Sequence, residues 1–325
     1  MSRPELTINR PRLAVRCDGG AGIGAGHVAR CLPLARAFAG RGWSVEFVGR
    51  FEGLAAWLIA GAGLQTTAPD AGAACGVDAA QWTAAIVDSY VLNAAEVCEL
   101  AAQLPIATLG EATRCEEAGI LIDYHLDRIC EPPGPRLLPG PAYAPLDPAF
   151  AGAGRAGDEV ETVLVTVGGS DQALAHVDAL QAVVRRAFPD AEQLAPRGSA
   201  AGEPPTRLVD LVPRVDLAVT AAGLTAYELA CAGVPQVAVA IVANQRRVVD
   251  ALRASGLAEC VDLCAGEPLE AVGPALERLR GRSVRKGQRE LGRRIFDGRG
   301  ANRAAQALLN QWTTVQSGVA TIRSP

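Results

Sequence analysis

The chain has 325 residues, 49% hydrophobic and 20% charged, which supplies apolar material for two buried cores and too little charge for disorder. Thirty-one basic against 35 acidic side chains leave a formal charge of −4, which excludes a broad cationic footprint for nucleic acid or an anionic membrane. Lys286 is the only lysine, which argues against Schiff-base chemistry and a P-loop, and 4% aromatics argue against an aromatic-lined carbohydrate platform.

Short apolar runs alternate with stretches of helical periodicity, the signature of a parallel sheet with crossover helices. Leu13 to Cys17 predicts a first strand, followed by a helix from His27 to Gly40 on the spacing of Cys31, Leu34, Ala35 and Phe38. Further strands are expected at Ser44 to Val48, Ala84 to Asp88, Pro105 to Leu109 and Gly119 to Ile122. From Cys130 to Gly157 the chain is dense in Pro and Gly without apolar periodicity, which predicts a linker and a division into residues 1–150 and 151–325. The alternation then restarts: a strand at Thr162 to Val167, a helix from Ala173 to Phe188, and strands near Leu208, at Leu217 to Thr220 and at Gln236 to Ala240. The competing architecture is one long doubly wound sheet. Beyond Ala301 a helix is expected to end near Trp312 in a frayed tail.

Nine cysteines form no CxxC pair and read as small buried hydrophobes in a reducing compartment. Met1 to Arg12 lacks a signal-peptide pattern and no apolar run of about 20 residues occurs, so a cytoplasmic protein without membrane insertion is expected.

The first strand runs into DGGAGIGAGHVAR, where Gly24 and its neighbours allow close approach of backbone to a ligand at a helix N-terminus. A dinucleotide fingerprint would need an acidic residue ending the second strand, where Gly49 and Arg50 stand, so an NAD-dependent dehydrogenase is disfavoured. His27 opens the helix, where the dipole disfavours protonation, and reads either as a general base or as a packed histidine. Asp88, Ser89 and Tyr90 follow an apolar strand, where open α/β sheets place ligands; Tyr90 reads as a substrate- or water-orienting group or a plain loop tyrosine. His125 and His176 lack such a setting and read as structural. In the second half Gly168, Gly169, Ser170 and Asp171 repeat the strand-to-glycine turn, suited to a diphosphate or a base edge. Ala222, Gly223 and Thr225 form a nest of N–H groups at a helix start; Glu228 reads either as the partner of Thr225 in a capping box or as a ribose ligand. Asn244 and Gln245 read as helix caps or as groups facing the same crevice. No His/Asp/Glu cluster suggests a metal, and no cofactor is expected.

Taken in order from about Arg12 to Arg303, RCDGGAGIGAGHVARCLPLARAF, VGGSD, DLAVTAAGLTAYELACAGVPQVAVAIVANQ and IFDGRGANR resemble the UDP-sugar hydrolase of pseudaminic acid biosynthesis and its spore-coat polysaccharide relatives. The resemblance implies a GT-B architecture shared with MurG-type glycosyltransferases: two Rossmann-like domains, an interdomain cleft, and the nucleotide held mainly by the second domain. It implies water attack at the anomeric carbon of a UDP-linked 2,4-diacetamido-2,4,6-trideoxy sugar with inversion, His27 being the base and Tyr90 and Asn244 matching the family's tyrosine and asparagine. The glycines and polar residues at 168–171, with Ala222, Gly223, Thr225 and Glu228, fall on the UDP-binding segments. Gly110-Glu111, Pro145, Asp147 and Gly19-Gly20 depart from the family pattern, which bears on the sugar more than on the fold. The alternative is a glycosyltransferase on the same scaffold, with a small-molecule or glycan acceptor as a further partner. A third reading is a nucleotide-sugar-binding module without catalysis.

Overall fold

The computed structural model describes residues 10–20, 22–110, 119–155, 157–168, 171–196 and 206–322, the side chains of 171–172 and 314–322 excepted. The first sheet holds β1 (Arg12–Arg16), β2 (Ser44–Val48), β3 (Gln65–Thr67), β4 (Ala84–Val87), β5 (Ile106–Leu109), β6 (Ile120–Asp123) and β7 (Leu137–Pro139), all parallel, in the order β3-β2-β1-β4-β5-β6-β7. Helices α1 (Gly26–Ala39), α2 (Gly53–Gly61) and α3 (Ala94–Ala101) cross between its strands. The second sheet holds β8 (Thr162–Thr166), β9 (Glu192–Leu194), β10 (Leu217–Ala221), β11 (Gln236–Ala240) and β12 (Glu259–Asp262) in the order β12-β11-β10-β8-β9. Its helices are α4 (Asp171–Leu174), α5 (Val177–Ala187), α6 (Leu208–Leu211), α7 (Leu224–Ala232), α8 (Arg246–Ser255), α9 (Val272–Arg278) and α10 (Arg282–Ile295), and α11 (Gly300–Ile322) ends the described chain.

Every residue of β4, β5, β6, β10 and β11 is buried, as strands covered by helices on both faces must be, so their sequences are apolar but for Thr108, Asp123, Thr220 and Gln236. The edge strands differ. All three residues of β3 are exposed and β9 is half-buried, so neither carries an apolar signal. The stretch near Leu208 is helix α6 rather than a strand, the helix expected from Ala173 to Phe188 breaks into α4 and α5, and β7 lies inside the Pro/Gly stretch that reads as linker. Among the described cysteines Cys98 is disulfide-bonded, against the all-thiol reading, while seven others are free.

Helix α11 runs to Ile322 rather than ending near Trp312, and it packs on the first domain, not the second. Ala301, Ala304, Ala305, Leu308 and Trp312 join the core of the first sheet, with Trp312 stacked on Phe38 of α1 at 5.7 Å. The chain therefore crosses between the domains twice, and a second core cluster joins Tyr124, Leu126, Leu146 and Phe150 to Ala226, Tyr227 and Phe296. No helix among the described residues is long and apolar enough to cross a membrane.

Strand order reverses between β1 and β4 in the first sheet and between β8 and β10 in the second. At each such switch point the two connections leave in opposite directions and open a crevice beyond the carboxyl ends of the strands. In the first sheet that crevice lies between the glycine loop after β1 and Asp88 after β4; in the second, between Gly168 and Gly223. Gly49 explains the absent acidic residue after β2: a Cβ there would collide with the Cys17 carbonyl oxygen, so no side chain fits.

Candidate active site

The loop after β1 is pinned by its own backbone. Gly19 N–H donates to the Arg50 carbonyl, Glu52 N–H to the Gly19 carbonyl, and Gly20 and Gly24 exchange both amide bonds at 3.1 and 2.8 Å. Gly24 adopts φ +77°, a conformation that favours glycine. Helix α1 begins without a side-chain cap, so its first N–H groups remain for a ligand.

His27 is 4% exposed on the first turn of α1. Its Nδ1 lies 3.1 Å from Asp88 Oδ1 and 2.8 Å from Arg30 Nη2. Arg30 grips the same carboxylate through Nε to Oδ2 at 2.5 Å and Nη2 to Oδ1 at 2.6 Å, and the Cys31 thiol donates to Oδ2 at 3.7 Å. Burial alone pushes the Asp88 carboxyl upward; the Arg30 charge and the His27 and Arg30 hydrogen bonds outweigh it and hold the group below its ordinary value. A buried carboxylate against Nδ1 fixes the imidazole plane and leaves Nε2 with no protein partner among the described residues. The Tyr90 ring stands edge-on to the imidazole at 4.9 Å, and Asn244 Nδ2 donates to Tyr90 Oη at 3.4 Å from the second domain. His27, Tyr90 and Asn244, 217 positions apart in sequence, thus stand in one line across the crevice. The sequence reading did not include Asp88 and Arg30 as partners of His27. The signals are the i, i+3 spacing of His27 and Arg30 on one helix face, and an acid ending a strand beside β1.

On the second domain, Gly168 turns out of β8 at φ +88°. Gly169 and Ser170 lie outside the described residues, and Asp171 opens α4 with its side chain likewise outside. Ala222 is buried and bonded to the Val239 carbonyl, and Gly223 is the N-cap of α7 in extended conformation with no side-chain cap. The capping-box reading of Glu228 fails: with Gly223 as N-cap, Thr225 sits inside the helix and its hydroxyl bonds the Glu228 carboxylate instead. Gln245 is committed to the turn before it, its Oε1 accepting from Ile241 N–H at 2.8 Å and Val242 N–H at 3.4 Å, and as the N-cap residue of α8 it makes no side-chain cap bond to that helix. Among the described residues no group of three or more His, Cys, Asp or Glu is placed to hold a metal ion.

Burial pushes the Glu228 carboxyl up to about 7, with the Asp147 charge adding to the rise and the Thr225 hydroxyl opposing it. Between its unfolded value near ~4.3 and about 7 the folded state binds the extra proton, so stability falls as pH rises through that window. Glu228→Gln removes that loss. The variant is expected to match wild type at pH 4 and to exceed it by about 2 kcal/mol above pH 7, read from urea unfolding midpoints.

No protein-family model and no curated protein matches the chain. Among solved structures it is similar to CalG4, the calicheamicin glycosyltransferase, at 17% identity and TM-score 0.61 over 94% of this chain and 98% of that one. It is similar to MurG of Acinetobacter baumannii at 13% identity and TM-score 0.58 over 93% and 99%. It is also similar to the Streptomyces sp. SF2575 glycosyltransferase SsfS6 complexed with thymidine diphosphate, at 14% identity and TM-score 0.59 over 93% and 100%. These likenesses span whole chains at low identity, and with the two parallel sheets they establish the fold as GT-B, the architecture the sequence resemblance implies.

Proposed function

We propose that the chain is an inverting glycosyltransferase that uses a nucleoside-diphosphate sugar. The observation that carries this reading is the line from buried Asp88 through His27 and Tyr90 to Asn244, joining the switch-point crevice of one sheet to the other domain. With its Nδ1 proton held by Asp88, His27 Nε2 accepts the proton of an acceptor hydroxyl. The acceptor oxygen bonds the anomeric carbon while the carbon–oxygen bond to the diphosphate breaks on the opposite face, its electron pair leaving on the diphosphate. The uncapped N-terminus of α7 at Thr225, with Gly168, Gly169, Ser170 and Asp171, receives that negative charge, so neither a metal nor a lysine is needed. Glu228 holds the ribose hydroxyls. Gly24 gives the sugar room against the first loop, and Tyr90 and Asn244 orient sugar or nucleophile.

Transfer is favoured over hydrolysis by the surface around the base. Ile23, Leu54, Tyr90 and Val91 are exposed by 48, 46, 58 and 75% on the segments that follow β1, β2 and β4, three neighbouring strands, Leu54 in the first turn of α2. An apolar rim of that kind suits an acceptor with an apolar body, and attacking water needs none. CalG4 and SsfS6 are described as glycosyltransferases, the second complexed with thymidine diphosphate, which supports the same choice. The second reading is a UDP-sugar hydrolase, favoured by the match of His27, Tyr90 and Asn244 to that family's motifs.

Purified protein incubated with UDP- and dTDP-sugar panels, with nucleoside diphosphate release followed with and without apolar alcohols, separates the two. Acceptor-dependent release supports transfer. Equal release in water alone establishes the hydrolase, and binding of NADH in place of either diphosphate overturns both.

A further inference from the structure

A second histidine beside the crevice also sets its Nδ1 against a buried carboxylate. Asp123 ends β6, is fully buried, and accepts from His125 Nδ1 at 2.7 Å. In register, β4 pairs Val87 with Thr108 of β5, and β5 pairs Leu109 with Ile122 of β6, so Asp88 and Asp123 flank the carboxyl end of β5. They are two strands apart, roughly 10 Å. Gly110 between them has φ +59°, and a Cβ there would meet His125 Cε1 at 3.6 Å, so the imidazole lies over the end of β5. Tyr124 links the two pairs: its ring stacks on His125 at 5.0 Å, and its electrostatic neighbours are Arg30, Asp88 and Tyr90.

The second domain meets this histidine with α7, the helix proposed to hold the diphosphate. Tyr227, in the first turn of α7, accepts a hydrogen bond from Leu126 N–H at 3.3 Å and meets Tyr124 edge-on at 6.4 Å. Arg247 of α8, one turn past Asn244, reaches Asp123 Oδ2 at 3.2 Å, grips both Asp127 oxygens at 2.9 and 3.0 Å, and passes 3.4 Å from His125 Nδ1. Arg128 Nε adds to Asp123 at 3.2 Å. Arg128 is itself paired with Glu131, so the three carboxylates of Asp123, Asp127 and Glu131 outnumber the two guanidiniums of Arg128 and Arg247 by one, which suits a positive charge on the ring. Nε2 has no protein partner among the described residues, and the side chain keeps 13% exposure at the crevice.

We infer that His125 is a binding residue for the leaving diphosphate: as an imidazolium it gives its Nδ1–H to Asp123 and aims its Nε2–H at a β-phosphate oxygen, while α7 holds the same group from the other domain. His27 and His125 then divide the work. The nucleophile's proton goes to His27, and the electron pair released from the anomeric carbon arrives on an oxygen that His125 already bonds. This rests on the nucleotide-sugar reading, and it replaces the structural role that the sequence suggests for His125.

The test compares a diphosphate with its monophosphate. Affinities of UDP and UMP, and of dTDP and dTMP, are measured by calorimetry for wild type, His125→Asn and His125→Gln, with melting temperatures to check folding. A charge-assisted hydrogen bond to one phosphate corresponds to about 10–100-fold in affinity. His125→Asn, whose amide reaches only the Nδ1 position, is expected to lose that much for the diphosphate and nothing for the monophosphate. His125→Gln, whose amide reaches the Nε2 position, is expected to recover part of it. Equal losses for diphosphate and monophosphate, or no loss in folded protein, overturn the assignment and leave the glycosyltransferase reading standing. A wild-type protein that binds neither diphosphate overturns that reading, and this assignment with it.

Discussion

Replacing His27 by Asn is expected to lower turnover by about 10²–10⁴ while leaving affinity for the nucleoside diphosphate within about twofold. The asymmetry follows from position. His27 belongs to the first sheet's switch point, whereas the diphosphate and nucleoside contacts proposed for Gly168, Thr225 and Glu228 belong to the second. A side chain that acts only when the acceptor proton is in flight contributes to the transition state and not to ground-state binding, so kcat and kcat/KM fall together. Single-turnover rates with a saturating donor, beside calorimetric UDP and dTDP titrations, give the two quantities separately. A variant that keeps wild-type turnover removes His27 from the chemistry; one that loses nucleotide affinity in proportion makes it a packing residue.

The parts of this site that are legible in the sequence are those held by backbone. A glycine loop after a strand, a glycine at a helix start after another, and a histidine one residue into a helix are local patterns, and Gly24, Gly223 and His27 stand on those elements. Partnerships across the fold were not legible. Asp88 joins Arg30 and His27 only because β4 lies beside β1, and Asp123 meets Arg247 only because the second domain folds back onto β6. Strand neighbours are set by long-range pairing, which no local periodicity encodes. The capping box misread at Thr225 shows the same boundary from the other side: the spacing to Glu228 is right, but the helix starts two residues earlier at Gly223, so the pair bonds within the helix and the carboxyl is left to burial. The strands β3, β9 and β12 escaped because they are short edge strands with few or no buried residues, and β7 because its three residues, Leu-Leu-Pro, are too few to show a period inside a Pro/Gly stretch.

Asp88→Asn is expected to produce the largest combined loss, because one carboxylate serves two purposes. It is the counter-charge of Arg30, whose side chain is only 14% exposed, and removing one partner of a buried ion pair costs about 3–5 kcal/mol through the charge left behind. It also lies 3.1 Å from His27 Nδ1, where the proposed mechanism has it hold the imidazole proton. An asparagine amide that turns its NH₂ toward Nδ1 drives the proton to Nε2, the nitrogen that must be empty to act as base, so turnover is expected to fall by about 10³–10⁴. Since Asp88 sits below its ordinary value in the folded state, its contribution to stability is complete above the unfolded carboxylate value and disappears as pH falls through the folded one. The variant should therefore unfold at lower urea at pH 7, and the difference from wild type should shrink in acid. The double variant Asp88→Asn with Arg30→Met removes the stranded cation along with the carboxylate. Its unfolding midpoint is expected to return most of the way to wild type while turnover stays at the single-variant level, since the tautomer of His27 is still unheld. Recovery of both would mean that the loss of activity came from the damaged fold; recovery of stability alone assigns the carboxylate to His27.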